Sequence, residues 1–221
     1  MTRLTTAALA ALALAAAGCG GVREHGSATL WVTRDRGAHV LFTGNVPAGL
    51  TAMQALSRAR TVHTRYGGRF VQSINGLGGS LTKQNDWFYF VNGIEGDRSA
   101  AEVRLHPGDV EWWDYRHWTG ATMSVPVVVG AFPKPFTDGQ TSVVPVGVPR
   151  SLASAIASEV HGVVASRKAV ANYIVVSTRF PPQHMRISRF RHGYQLELGP
   201  AVARRLAANI SAVRFQYGAA Q

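Results

Sequence analysis

Asp86-Trp-Phe-Tyr-Phe-Val-Asn92-Gly93 is the stretch whose reading decides the fold. It is rich in aromatic and β-branched residues and closes on Asn-Gly, a pair that readily takes positive φ. It therefore reads as a strand running into a tight turn. Side chains alternate faces along a strand, which sets Trp87, Tyr89 and Val91 against Phe88 and Phe90. Val110-Glu-Trp-Trp-Asp-Tyr-Arg116 repeats the pattern after the turn His106-Pro-Gly-Asp109. There Trp112, Asp114 and Arg116 oppose Trp113, Tyr115 and His117. Strands that are aromatic on both faces need cover on both. A helix can take one face. The other either lies under a further segment or stacks on a planar ligand or sugar.

Upstream, 28–33 and 38–43 read as strands around the turn Arg34-Asp-Arg-Gly37, a hairpin. Thr51 can cap a helix over 51–61, in which Ala52, Met53, Ala55, Leu56 and Ala59 fall at helical spacing. Residues 69–75 read as a third strand. Strand, strand, helix and three strands predict an α+β fold: a β-grasp-like domain over 28–139, with a mixed sheet and one covering helix. Its Pro-punctuated end, 119–139, reads as an extended connector packed on that domain. From 140 to 221 the pattern changes. An edge strand over 141–146, a helix from Ser151 to about 166 and strands over 172–177, 184–188 and 194–198 are expected. A helix over 200–209 and a closing strand over 212–217 complete a small accessory α/β domain.

Length and composition narrow the class. The chain has 221 residues, 46% of them hydrophobic, enough for one ordinary domain or two small ones. Its single cysteine excludes an intramolecular disulfide framework and any multi-cysteine metal site. Met1–Gly18 carries Arg3 and then an apolar run from Leu4 to Ala17, the form of a secretory signal and too short for a membrane span. Ala16-Ala-Gly-Cys19 resembles the bacterial lipobox, with Ala16 where the pattern prefers Leu. That resemblance implies a lipoprotein signal peptide over 1–18, lipid attachment at Cys19 and a tether over 19–27. The protein is then expected to be exported and anchored to the outer face of the bacterial cell membrane. The net charge of +11 is spread over scattered arginines, the pattern of a solvated surface. With an export signal, the acidic partners to expect are headgroups or wall polymers, not nucleic acid.

Catalytic patterns are missing. The sequence has no G-x-x-x-x-G-K-[ST] loop, no G-x-S-x-G elbow and no H-E-x-x-H pair. None of its eight histidines stands at metal-ligand spacing on a convincing helix. Neither an enzyme nor a metal site is expected.

Three motifs in order carry a further resemblance: Phe70-Val-Gln-Ser-Ile-Asn-Gly76, Trp87-Phe-Tyr-Phe-Val-Asn-Gly93 and Pro107-Gly-Asp-Val-Glu-Trp112. The chain over about 38–118 resembles the transcobalamin-like C-terminal domain family. The resemblance implies a β-grasp-like sheet and a ligand-binding function. No cofactor is certain. Cobalamin or a related corrinoid becomes the candidate ligand, passed on to a membrane uptake system. It does not extend to the large helical-barrel domain that, in the cobalamin carriers of that family, forms the other half of the ligand site. Asn92, Gly93, Gly108 and Asp109 are turn chemistry and support the fold. The candidate ligand-binding residues are Trp87, Tyr89, Trp112, Tyr115, His117 and Trp118. The alternative is an envelope protein-interaction or glycan-binding scaffold module whose aromatic face meets a partner.

Overall fold

The computed structural model describes residues 25–168, 170–190 and 192–218; the expected signal, Cys19 and most of the tether lie outside them. The fold is α+β. Strands β1 (Ser27–Arg34) and β2 (His39–Pro47) form the expected hairpin. Its turn places Asp35, Arg36 and Gly37 at positive φ. Helix α1 (Ala52–Ala59) starts at Thr51, whose side chain accepts from the Gln54 N–H while Gln54 Oε1 accepts from the Thr51 N–H. Its apolar stripe buries Ala52, Met53, Ala55 and Leu56.

The helix ends two residues earlier than its sequence pattern predicts, because Arg60 is extended. The β-branched run that follows makes a strand not foreseen from the sequence, β3 (Val62–Arg65). It pairs with β4 (Phe70–Ile74), which pairs with the two-residue β5 (Leu77–Gly78), giving a small three-stranded sheet. β6 (Asn85–Val91), β7 (Ile94–Glu95) and β8 (Val110–His117) join the hairpin in a five-stranded sheet ordered β2-β1-β8-β6-β7. β1 and β8 run parallel at its centre, so the sheet is mixed. Helix α1 and the small sheet close one face over a core that includes Leu30, Leu56, Val71, Ile74, Leu105 and Trp113.

The carboxy-terminal unit is a second sheet, ordered β10-β9-β11-β13-β12. It comprises β9 (Thr141–Val146), β10 (Val163–Val164), β11 (Asn172–Ser177), β12 (Met185–Phe190) and β13 (Gly193–Leu198), parallel except for β12. β9, expected at the edge, has a neighbour on each side. β10 covers only Ser142 and Val143, however, so Pro145, which has no N–H to donate, escapes pairing on that side. Helices α2 (Arg150–Glu159) and α3 (Pro200–Ala208) pack on this sheet through Ala153, Ile156, Val202 and Leu206. α2 stops well short of 166, since His161 takes positive φ and the chain turns into β10.

The closing segment is not a strand. A 3-10 turn over Ile210–Val213 is followed by an extended strap that returns to the first sheet. There the Tyr217 C=O accepts from the Val129 N–H, while the Gly218 C=O accepts from Ile187 in the second sheet. The connector is shared in the same way. Val125, Val128 and Ala131 pack on the first sheet, whereas Val127, Val129, Phe132 and Phe136 belong to the core of the second.

Candidate functional site

Strand alternation holds, and the two faces have different fates. Trp112 is fully buried, in contact with Trp31, Phe90, Phe215 and Tyr217, and its Nε1–H donates to Thr33 Oγ1 at 2.7 Å. Beside it Asp114 is fully buried, accepting from Thr33 (2.5 Å), the Tyr217 hydroxyl (2.7 Å) and the N–H groups of Arg36 and Gly37. Burial raises the Asp114 pKa, and the Thr33 and Tyr217 donors pull it back. Arg116 is buried over the Phe88 ring and donates to the carbonyls of Thr122 and Met123. Glu95 lies 3.4 Å from it and accepts from Ser124 and the Val125 N–H. These contacts bolt the connector and the strap over the second face. Trp112, named above as a ligand candidate, is core: no surface of it is left to stack on a ligand.

The other candidates lie on the α1 face or at the sheet's end. Trp87 is buried, donating to the Leu77 C=O at 2.8 Å, and meets Tyr115, whose hydroxyl donates to the Gly78 C=O at 2.9 Å. Both rings thus fix β5 to the main sheet. Tyr89 stacks on Trp113 with centroids 5.1 Å apart and donates to the Arg98 C=O at 2.7 Å. Burial, with Asp97 nearby, pushes the Tyr89 pKa up to about 12. His117 is exposed and Trp118 half-buried; the structure brings neither into the group formed by Trp87, Tyr89 and Tyr115. The turn residues do structural work. Asn92, at φ 55°, donates to Asp109 and accepts from the Val110 N–H, while Asp109 also accepts from the His106 N–H. Gly93 has no room for a side chain, since a Cβ there would lie 2.6 Å from the Val128 C=O.

An open cleft of about 620 Å³ lies where β6 faces β4 and the loop 95–100. Trp87, Tyr89 and Trp113 wall it on the α1 side, Asp86 and Phe88 on the other, and Phe70 and Tyr66 stand at its rim. Tyr66 is 77% exposed at the tip of the β3–β4 hairpin and meets Phe70 edge-on. Arg69 and Arg98 also line the cleft, paired with Glu102 and Asp97 respectively. Asp86 has no ion pair among the described residues, and burial raises its pKa. The sequence reading missed Asp86, Phe70 and Tyr66. The signal available was position: Asp86 opens an aromatic strand, and Phe70 opens another after Tyr66-Gly-Gly-Arg69. Among the described residues no three His, Cys, Asp or Glu side chains gather where they could hold a metal. The arrangement can grip a ligand by stacking and by charge.

Residues 49–117 match the DUF4430 family, a domain of unknown function, over less than half of the chain. Comparison with curated proteins gives no match. Among solved structures, haptocorrin in complex with Cbi is similar over 48% of this chain at 16% identity and a TM-score of 0.38. The chain spans 28% of haptocorrin's length. A proposed metal-binding protein from Ruminococcus gnavus ATCC 29149 is similar over 43% of this chain and all of its own, at 16% identity and a TM-score of 0.36.

Proposed function

We propose that this chain is a ligand-binding lipoprotein of the bacterial envelope, held at the membrane by lipid on Cys19, which takes its ligand in the cleft beside β6. The observation that carries this reading is the cleft itself. Its volume of about 620 Å³ falls within the range of small-molecule sites, and its walls combine a stacked Tyr89–Trp113 pair with an unpaired carboxylate. The motif resemblance nominates a corrinoid as the ligand to test first. Titration of the chain from Gly20 with cobalamin and cobinamide, read by tryptophan fluorescence and checked by equilibrium dialysis, should give saturable binding that Tyr89→Ala weakens at least tenfold. Absence of binding to both removes the corrinoid. For the anchor, Cys19→Ser should release the protein from membranes or leave it uncleaved. An unlipidated mature amino terminus in the wild type, seen by mass spectrometry, refutes it.

A second reading, a protein-interaction module, is favoured by one specific feature. Four consecutive β6 residues, 86–89, line the cleft although their side chains alternate between faces, so the strand's main-chain edge itself faces the opening.

A further inference from the structure

The outer edge of β6 is paired only at its ends. Asn85 exchanges both main-chain hydrogen bonds with Ser80, and the Tyr89 C=O accepts from the Gly96 N–H before β7 takes up Phe90 and Val91. Because main-chain groups alternate direction along a strand, Asn85, Trp87 and Tyr89 turn theirs to this outer side. Among the described residues the Trp87 C=O and the Tyr89 N–H have no partner there. The Trp87 N–H does, and the partner is unusual: Asp86 Oδ1 of the preceding residue, at 2.8 Å. Gly79 leaves room for that carboxylate, since a Cβ there would lie 2.5 Å from Asp86 Oδ1. A charged side chain folded onto its own strand edge is a way to block indiscriminate pairing. Every other charged group lining the cleft has a counter-ion: Arg69 with Glu102, Arg98 with Asp97, Glu95 with Arg116.

We propose that the cleft accepts a short extended peptide as an added strand on β6, with a basic side chain of that peptide taking the Asp86 carboxylate. This rests on the second reading above, that the cleft is a protein-interaction site. The incoming strand would bond Trp87 and Tyr89 and lay its apolar side chains against Trp87, Tyr89 and Phe70. As Asp86 leaves the Trp87 N–H, the peptide's C=O replaces it and its cation meets the freed carboxylate. A strand without that cation would leave Asp86 displaced and unpaired in a half-buried place, so Asp86 selects as well as guards.

The test uses the chain from Gly20, which retains every residue of the three cores, all within 28–217. The probes are acetyl-Val-Lys-Val-Lys-Val-amide and acetyl-Val-Glu-Val-Glu-Val-amide. The lysine peptide should shift the Trp87 and Tyr89 amide resonances and slow their exchange, and bind about tenfold tighter than the glutamate peptide. Asp86→Asn, which keeps an acceptor for the Trp87 N–H, should bring the two affinities within about twofold. Equal binding of both peptides by the wild type, with amide shifts at 87 and 89, overturns the role of Asp86 and leaves the interaction reading standing. Shifts confined to residues elsewhere, or binding of neither peptide, overturn strand addition at this edge; the corrinoid titration then stands as the separate test of the small-molecule reading.

Discussion

Glu111 sits on β8 between Leu30 and Val91, with no solvent exposure, and only one of its oxygens has a partner. Oε1 accepts from the Trp113 indole at 2.5 Å, while Oε2 has none. Burial pushes its pKa up from 4.5 to about 8, and the indole N–H only partly offsets this. Glu111 is therefore protonated in the folded protein at neutral pH. Below pH 4.5 it is protonated folded and unfolded alike, and its burial brings no ionisation cost. Between 4.5 and about 8 the unfolded chain releases the proton and the folded chain keeps it, so stability falls as pH rises. The full difference corresponds to about 5 kcal/mol, and relaxation of the surroundings brings the expected loss to about 2–5 kcal/mol. Asp114 is shifted in the same direction, so the wild-type curve alone does not isolate Glu111. Glu111→Gln does. It keeps an oxygen for the Trp113 indole and cannot ionise. Urea unfolding followed by far-ultraviolet circular dichroism at pH 5, 6.5 and 8.5 should find the variant within about 1 kcal/mol of wild type at pH 5. At pH 8.5 it should be more stable by about 2–5 kcal/mol. Parallel pH curves would refute the reasoning, because they mean that Glu111 holds its proton no more tightly in the folded protein than in the unfolded chain.

Trp112→Ala should cost about 3–5 kcal/mol in urea unfolding while leaving ligand affinity of the folded fraction unchanged, since the ring is core. Tyr217→Phe takes one of four donors from Asp114 and should cost about 1–3 kcal/mol in urea unfolding, the loss growing as pH rises through the raised pKa of the folded carboxyl, because the missing hydroxyl favoured its ionised form. Gly96→Ala places a methyl 2.0 Å from the Tyr89 ring, so it should displace that ring and abolish ligand binding in titration, with a smaller effect on the melting curve than Trp112→Ala.

The first sheet was legible because its signals are local. Alternation in 86–92 and 110–116 gave both strands and their faces, and Thr51 with the apolar stripe after it gave α1. The second unit was legible as helices and strands in alternation, less so at its ends. Residues 212–217 carry the β-rich sequence Ala-Val-Arg-Phe-Gln-Tyr, yet no sheet edge receives them. Val213 joins the core of the second unit, while Phe215 and Tyr217 are claimed by Trp31 and Trp112, more than a hundred residues earlier in the case of Tyr217 and Trp112. β3 was missed for a related reason: four exposed or half-buried residues have no periodicity to read, and only pairing with β4 defines the strand. The candidate site divides in the same manner. Tyr89 could be named from strand alternation alone, but Asp86 acquires its meaning from Gly79, whose missing side chain leaves room for its carboxylate, and from the cleft it shares with Phe70 and Gly96.

The proposed binding surface is an edge and not a face for the same physical reason. A two-faced aromatic sheet in water must be covered twice, and here the second cover comes from the connector and the strap, locked by Asp114 and Arg116. Each face then contributes to stability, and the aromatic surface left open is the part of the α1 face that lines the cleft. What covering cannot reach is the main chain at 86–89, because β7 is two residues long and β5 departs after Gly78. Lengthening β7 would close that edge at the expense of the cleft. The short β7, the Asp86 carboxylate on its own strand edge and the exposed Tyr66 and Phe70 at the rim are therefore parts of one arrangement on the β6 side of the sheet, where the proposed ligand or added strand would find stacking surface, the main-chain groups of Trp87 and Tyr89 and a carboxylate without an ion pair together.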